Sequence, residues 1–179
     1  MPKESLTIKG LQGGINTSHS PSDIKDNEFV DLVNFAPGLD SNLKIANQLK
    51  QVVLFGKHKN CVGLAHNQIG GNKRVFVAKV GKNNTWKIFI NPEIVFYEGK
   101  VTENVEGCMT FPNKQNKVKR HHKVELRHQT GEYNIHNIQR AEEFQTDFFF
   151  GENSHIIQHE TDHLNGIHIF NKGETNNGK

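Results

Sequence analysis

The sequence predicts an α+β fold, in which antiparallel β-hairpins and sheets pack around a C-terminal helix and a second helix lies nearer the N terminus. Three observations predict it. Apolar residues recur at helical spacing after Ser41, strand-like runs separated by turn residues fill the middle of the chain, and the last element before a polar tail is helical. A helix, several antiparallel hairpins and a second helix, in that order, are typical of the α+β class.

The length of the chain indicates one domain with polar ends. At 179 residues, a single domain can bury a sizeable core without disulfides or other cross-links. The N-terminal stretch is polar and lacks a clear periodicity, and the C-terminal stretch is short and polar. We therefore expect a loose arm over 1–22, a single domain over 23–172 and a short tail over 173–179.

Composition and charge argue against several classes of protein. The mean hydropathy is −0.65, and no apolar run approaches the ~20 residues that a membrane span needs, so no membrane contact is expected. The net charge of +3 is not gathered into a stripe, so we expect no DNA partner. The N terminus has no apolar stretch typical of a secretory signal, and Cys61 and Cys108 make no disulfide framework. A reduced, cytoplasmic protein is the expectation.

The first helix is predicted to begin after Ser41, whose hydroxyl can cap the helix N terminus, and to continue to Lys57. The apolar residues that define its buried face are Leu43, Ala46, Leu49 and Val53.

Three hairpins are predicted in the middle of the chain. Their strand pairs are Arg74–Val80 with Thr85–Ile90, Ile94–Tyr97 with Val101–Val105, and Val124–His128 with Tyr133–Ile138. The turns are expected at 81–84, at Glu98-Gly99 and at Thr130-Gly131, and Asn91-Pro92 is expected to end the strand before it.

The last helix carries a possible metal-binding pattern. It is expected to begin near Gly151 and to end at Asn165-Gly166, where glycine can take the left-handed cap position. Within it, His159 and His163 lie four residues apart, on one helix face, so both imidazoles can reach one metal ion. Glu160 follows the first histidine and can accept a proton from a water on that ion. The alternative is a polar helix face that carries two histidines by chance and binds no metal.

A catalytic site of this kind needs a third protein ligand and an open position. The metzincin proteases place a third histidine further along, but here Ile169 stands at that spacing and His168 falls one residue early, so His168 is interpreted as a surface or strand residue. Cys108 is the other candidate, although a free cysteine is more often a small buried apolar residue.

Three segments, taken together, resemble the peptide deformylases, whose motifs GxGLAAxQ, EGCLS and HExDH occur in that order. The matching segments are Cys-Val-Gly-Leu-Ala-His-Asn-Gln at 61–68, Glu-Gly-Cys-Met-Thr at 106–110 and Gln-His-Glu-Thr-Asp-His-Leu at 158–164. The resemblance runs from about residue 60 to about residue 170. It implies a metal-dependent hydrolase that removes the formyl group from the N-terminal methionine of nascent polypeptides, with 23–172 as its catalytic domain.

The resemblance also implies residue roles. One divalent ion, expected to be Fe²⁺ with Ni²⁺, Co²⁺ or Zn²⁺ as substitutes, would be held by Cys108, His159 and His163. It would lower the pKa of a water molecule, so that a hydroxide attacks the formyl carbon. Glu160 would act as general acid and base. The Gln68 side-chain amide and the Met109 backbone N–H would stabilise the oxyanion.

Further implied roles concern the substrate and the groups behind the metal ligands. Gly63, flanked by Val62 and Leu64, would bind the formylated peptide as an added β-strand. Glu106 is a candidate acceptor for the second N–H of a metal-binding histidine. Asp162 would pair with Arg120, or else be a solvated helix residue. A transient contact with the ribosome exit region and a monomeric state are expected.

The sequence departs from the family pattern at several positions. Cys61 replaces a glycine, and His66 replaces an alanine and is interpreted as a packed or surface histidine, with proton transfer as the alternative. The start of the last helix, 152–155, is polar where the family has apolar residues for the methionine pocket, so Phe148–Phe150 and Val62 are expected to line that pocket instead. The basic run over 114–123 is interpreted as a solvated hairpin, with an RNA or acidic partner as the alternative.

Two other functions remain open at this point. A different metallohydrolase, such as a small protease or amidase, would use a third ligand other than Cys108. A binding module that kept only the fold would not need Glu160.

Overall fold

The computed structural model describes residues 41–55, 60–80, 85–134, 137–140 and 143–172, so the expected arm over 1–22 and tail over 173–179 lie outside the described residues. Within the described part there are two helices and seven strands. In chain order they are α1 (Ser41–Phe55), β1 (Gly63–Ala65), β2 (Val75–Lys79), β3 (Trp86–Cys108), β4 (Phe111–Gln129), β5 (Gly131–Asn134), β6 (Asn137–Arg140), β7 (Gln145–Phe150) and α2 (Gly151–Leu164). A short 3₁₀ turn, His66–Ile69, follows β1.

The strands form a five-stranded antiparallel sheet in the order β1-β2-β3-β4-β7, and β5 and β6 pair separately with each other. In the described part of the chain, β1 pairs only with β2, so its other edge is open within that sheet. The antiparallel sheet and the two helices confirm the predicted α+β class.

The two helices cover opposite faces of this sheet. Because side chains alternate along a strand, Val75 and Val77 of β2 pack in the cluster that contains α1, whereas Phe76 and Ala78 pack in the cluster that contains α2. The α1 residues in the first cluster are Ala46, Leu49, Val52 and Val53, which agrees with the helical spacing predicted from the sequence. From α2, Ile156 and Ile157 join the second cluster. The side chain of Leu43 lies outside the described residues.

The predicted strand break at Asn91-Pro92 and the predicted turn at Glu98-Gly99 are both wrong, because β3 runs without interruption from Trp86 to Cys108. Both sites are bulges. Asn91 takes a φ of 49° and Gly99 a φ of 80°, and the register with β4 shifts at each place. The chain reverses only after Cys108, which pairs with Phe111.

The third predicted hairpin is also wrong. Residues 124–128 belong to the long strand β4, which pairs with β3 and β7 and has Val124 opposite Phe149. Tyr133 pairs with Ile138 inside the separate β5-β6 ladder. Burial explains the preference, since Val124 and Phe149 share the core with α2. By contrast, the first predicted strand pair is present as β2 and the start of β3, and its expected turn at 81–84 lies outside the described residues.

Of the helices described, neither has the length together with the apolar character needed to cross a lipid bilayer.

Candidate metal centre and active site

The end of β3 and the middle of α2 bring three metal-binding side chains together. Cys108 is the last residue of β3, and His159 and His163 lie one turn apart on α2. Cys108 Sγ is 3.1 Å from His163 Nε2, which is itself 3.1 Å from His159 Nε2. The three donor atoms all lie within 4.8 Å of one another.

This donor set fits a divalent metal ion. Two imidazole nitrogens and one sulfur lie close to one another. A cation bound by their lone pairs would account for this close approach. His163 is fully buried, and His159 and Cys108 are half-buried. Three protein ligands of nitrogen and sulfur type are the number that a catalytic metal site uses, which leaves a further position open for water or substrate.

A buried ion-pair network contacts His159 at Nδ1, the ring nitrogen that does not face the other two ligands. Glu106 Oε2 lies 2.9 Å from His159 Nδ1, and Arg120 donates two hydrogen bonds of 2.8 Å to the two oxygens of Glu106. Arg120 also pairs with Asp162, which accepts a hydrogen bond of 2.6 Å from Lys172. Only 1% of Arg120 is exposed. Although located within the basic run over 114–123, it is therefore not part of a solvated surface.

The charge state of Glu106 follows from these contacts. Burial would raise the pKa of Glu106, but hydrogen bonds from Arg120 and His159, together with their charges, lower it to about 2. An ionised Glu106 accepts a hydrogen bond from the Nδ1–H of His159. When His159 loses its Nε2 proton, this hydrogen bond keeps the remaining proton on Nδ1 and leaves the Nε2 lone pair facing the other two ligands.

Glu160 is packed against the backbone of β1. A Cβ atom added to Gly63 would overlap the Glu160 carboxyl group, so a larger residue there would displace that side chain. Glu160 is buried, and its Oε2 has no hydrogen-bond partner in the part of the chain that is described. Burial raises its pKa to about 7, against the opposing charges of His159 and Arg120. Near neutral pH this carboxyl group can both accept and donate a proton.

The side-chain amide of Gln68 is held with its nitrogen toward the ligands. Its Oε1 accepts a hydrogen bond of 2.8 Å from the Ala65 N–H, and its Nε2 donates one of 3.0 Å to Thr110 Oγ1. The same Nε2 is 3.6 Å from Cys108 Sγ. Met109 lies beside Cys108 in the tight connection between β3 and β4 and lines the cleft described next.

A cleft of about 1390 Å³ borders the ligands, with walls from the β1 region, β3 and α2. Val62 and Gly63 line it. Leu64 does not: its side chain is fully buried in the cluster with α1, because it points to the opposite side of β1. Leu64 can therefore contact a peptide only through its backbone, and its side chain is not expected to bind substrate.

The expected lining by Phe148–Phe150 is wrong. Phe149 packs in the core, and Phe148 and Phe150 are more than half exposed on β7, which lies at the far edge of the sheet. Residues at the start of α2 line the cleft instead, among them Glu152 and His155. Sequence reasoning missed two further lining residues, Thr102 and Asn104 of β3. Their two-residue spacing ahead of Glu106 was the signal that could have revealed them.

Three other residues that the sequence analysis discussed, His66, His168 and Cys61, make packing or backbone contacts outside the cluster of metal ligands. The His66 ring lies against Gly71, where an added Cβ would be 1.9 Å from the ring, and its Nδ1 accepts a hydrogen bond of 3.1 Å from the Lys73 N–H. His168 packs edge-on against Phe111. Cys61 lines the cleft, but its thiol donates to the Gly63 carbonyl at 3.1 Å, and burial raises its pKa to about 12.

Comparison with known proteins gives a consistent result. The family model described as polypeptide deformylase matches residues 33–178. Peptide deformylase 1 of Clostridium perfringens is 34% identical over 128 residues, which cover 72% of this chain and 80% of that protein. The peptide deformylase of Thermotoga sp. strain RQ2 is 30% identical over 135 residues, 74% of this chain and 73% of that protein.

Solved structures agree with this match. The peptide deformylase of Thermotoga maritima superposes with a TM-score of 0.59 at 30% identity, covering 76% of this chain and 84% of that one. The peptide deformylase of Thermus thermophilus gives a TM-score of 0.61 at 27% identity, covering 76% and 75%. With the ligand geometry, the three motifs and these matches in agreement, the chain belongs to the polypeptide deformylase family.

Proposed function

We propose that this deformylase hydrolyses the N-formyl group from the N-terminal formyl-methionine of nascent polypeptides, to give formate and a free amino terminus. Removal of N-formyl groups is the activity of the family. The observation that carries the proposal is the cluster of Cys108, His159 and His163, with donor atoms within 4.8 Å, beside the buried carboxyl group of Glu160.

The three clustered side chains would hold one divalent ion, for which we propose Fe²⁺, with Ni²⁺, Co²⁺ or Zn²⁺ as substitutes. Such an ion polarises a carbonyl group and lowers the pKa of water, which supplies the electrophilic activation that a formamide needs. Glu106, fixed by Arg120, keeps His159 in the tautomer that can bind the ion. Because a thiolate and Fe²⁺ are both readily oxidised, we expect the enzyme to require anaerobic handling.

Glu160 would move the proton. It accepts a proton from the attacking water as the water oxygen bonds to the formyl carbon, and donates it to the amine nitrogen as the C–N bond breaks. Water is thus divided between the two products, formate and the peptide amine. The close packing of Glu160 on Gly63 supports this role, because it fixes the carboxyl group at the cleft wall.

Gln68 and Met109 would stabilise the negative charge that develops on the formyl oxygen. The amide of Gln68 is held at both ends, by Ala65 and Thr110, so little reorganisation is needed when it donates. The backbone N–H of Met109 would be the second donor. One such donor typically contributes ~3 kcal/mol to transition-state stabilisation.

The open edge of β1 would receive the peptide. Within the main sheet this strand pairs only with β2, and Gly63 and Val62 border the cleft, so an extended peptide can add to the sheet by backbone hydrogen bonds. Val62 is 43% exposed and can contact a substrate side chain. We propose that the protein works as a monomer in the cytoplasm, where nascent chains emerge. Exposed lysines of β4, Lys114, Lys117 and Lys119, would support a transient contact with the ribosome exit region.

The test is formate release from formyl-Met-Ala-Ser by protein purified anaerobically with Fe²⁺ or Ni²⁺, beside Glu160→Ala. We expect release that requires the metal and falls by about 10²–10⁴-fold in Glu160→Ala, whose metal content is unchanged. No release from metal-loaded wild type, or full activity in Glu160→Ala, would contradict the proposal.

A further inference from the structure

The 3₁₀ turn after β1 carries two neighbouring side chains that contact different metal ligands. The Nε2 of Gln68 is 3.6 Å from Cys108 Sγ. The residue before it, Asn67, donates a hydrogen bond from Nδ2 to the backbone carbonyl of His163, near the C-terminal end of α2. Asn67 stands at a position that the motif GxGLAAxQ does not specify, so this contact with a ligand residue is a feature of this chain.

The hydrogen bond to His163 fixes which way the amide of Asn67 faces. A backbone carbonyl can only accept, so the amide must present Nδ2 to it, and Oδ1 is directed elsewhere. This Oδ1 is buried and accepts no hydrogen bond from any residue that the structure describes. Because a buried acceptor without a donor costs free energy, Asn67 Oδ1 can stabilise a donor that is brought to it.

His163 has the matching donor. Its Nε2 faces the other two ligands, 3.1 Å from both Cys108 Sγ and His159 Nε2. A neutral imidazole that binds a metal ion through Nε2 carries its proton on Nδ1. In His159 this nitrogen lies 2.9 Å from Glu106, whereas in His163 it is buried without a hydrogen-bond partner in the described ranges of the chain. One histidine ligand thus has its acceptor in place, and the other needs one.

We propose that Asn67 is the positioning residue for His163: with the ion bound, Asn67 Oδ1 accepts the hydrogen bond of His163 Nδ1–H, directly or through one bound water. The two residues are already in contact, and each has the buried group that the other needs. Buried waters typically bridge polar groups of this kind. The inference rests on the proposed function, because it requires an ion bound to the three clustered ligands.

Two substitutions at one position separate positioning from packing. Asn67→Leu and Asn67→Asp both remove the donor to the His163 carbonyl, but only aspartate keeps an acceptor oxygen. We expect Asn67→Leu to lower the affinity for Zn²⁺ by about 10-fold, as loss of a hydrogen-bond partner of a metal ligand does, and Asn67→Asp to keep at least about one third of the wild-type affinity. The affinity is measured by competition with a chelating dye. Unfolding of the metal-free protein should be affected similarly in both variants.

The matched control is Asn153→Leu. Asn153 lies in the first turn of α2, also donates from Nδ2 to a backbone carbonyl, that of Val80 at 3.3 Å, and does not line the cleft. This variant should leave the Zn²⁺ affinity at the wild-type value. An affinity unchanged in Asn67→Leu, or lowered equally in Asn67→Leu and Asn67→Asp, would overturn the inference. A wild type that binds Zn²⁺, Fe²⁺ and Ni²⁺ but releases no formate would overturn only the proposed reaction, since the affinity comparison needs no turnover.

A measurement on the wild type does not depend on how the variants fold. In the Zn²⁺-loaded protein, proton–nitrogen NMR should detect a proton on Nδ1 of His163 that exchanges slowly with water and shows a nuclear Overhauser effect to the side-chain amide protons of Asn67. The Nδ1 proton of His159, which faces Glu106, is the internal reference. Fast exchange at His163 beside slow exchange at His159, or no Overhauser effect to Asn67, would overturn the inference.

Discussion

The two ends of the β3–α2 interface differ in burial, in charge and in what they leave unsatisfied. At the metal end, Glu106 faces His159 and is tied to Arg120, a side chain with only 1% of its surface exposed. At the cleft end, Thr102 faces His155 at 3.3 Å, and both side chains are half-buried and uncharged. One strand and one helix thus place a charged network of Glu106, His159 and Arg120 at one end and the neutral pair of Thr102 and His155 at the other.

This difference indicates that one strand and one helix assign catalysis and substrate selection to different residues. At the metal end, Glu106 and Arg120 fix the position of His159, and neither contact can be lost singly, because a buried charge without its partner is costly. The cleft end keeps free hydrogen-bonding groups and solvent access, so a substitution there changes which ligand fits and leaves the fold intact. Changes at the metal end should therefore affect metal binding, stability and rate, and changes at the cleft end should affect substrate preference.

The largest effect is expected from Cys108→Ala. Removing the sulfur leaves two histidine ligands, so we expect loss of both the bound metal and formate release, measured by metal analysis and by the formate assay. The same experiment separates deformylases from other metallohydrolases that use a histidine or carboxylate as third ligand. Cys108→Ser with full metal content and full activity would be incompatible with the ligand set proposed here.

Arg120→Met tests the charged network itself. It leaves Glu106 and Asp162 without their shared cation, so we expect a loss of about 3 kcal/mol in the free energy of unfolding. Lys117→Met is the matched control, because Lys117 pairs with Glu103 at 3.2 Å on the surface, with 71% and 48% of the two side chains exposed, and should cost less than about 1 kcal/mol. Both are measured by urea unfolding with a chelator present, so that metal binding does not contribute. Equal losses would show that the buried network is no more important than the surface pair.

Sequence patterns could predict the metal end because its signals are local. The spacing of His159 and His163 is one turn of a helix. Cys108 follows Glu106 and Gly107, as the cysteine of the family motif does. The class of the fold also followed from periodicity, as did the buried face of α1. These features depend on residues that are close together in the chain.

The cleft end was missed, because the alternating spacing of Thr102 and Asn104 ahead of Glu106 does not show which strand or helix they face; that depends on pairing between segments far apart in the chain. The predicted strand Val101–Val105 contains Thr102 and Asn104, but a turn at Glu98-Gly99 would have paired it with Ile94–Tyr97. The glycine instead allows a bulge with a φ of 80°, and both segments pair with β4. Whether such a residue makes a turn or a bulge is decided by the partner strand β4, which pairs on both sides of it. The contact of Thr102 with His155 therefore belongs to a strand that pairs with β4, which the predicted hairpin did not include.

Glu106→Gln is expected to have an intermediate effect. A neutral amide accepts the Nδ1–H of His159 more weakly than a carboxylate and orients the ring less firmly, so we expect metal affinity to fall by about 10–100-fold. The affinity is measured by competition with a chelating dye. Because the pKa of Glu106 is lowered to about 2, its ionised form stabilises the fold above its ordinary pKa, and that contribution is lost as the pH falls from about 4.5 toward 2. The stability difference between wild type and Glu106→Gln should therefore shrink over that range, and a difference independent of pH would contradict the ion pair.

The smallest effect is expected from Thr102→Val. Thr102 lies on the same side of β3 as Glu106, at the cleft end, so this change is the counterpart of Glu106→Gln. It removes one hydroxyl group at nearly the same volume and frees His155 and Asn104 from their shared partner. We expect metal affinity and unfolding free energy to stay near the wild-type values, and KM for formyl-Met-Ala-Ser to change by no more than about 3-fold, because the metal ligands and the other cleft residues remain. If Thr102→Val instead weakened metal binding as much as Glu106→Gln, the two ends would act as one network, and the separation of chemistry from selection along β3 and α2 would be wrong.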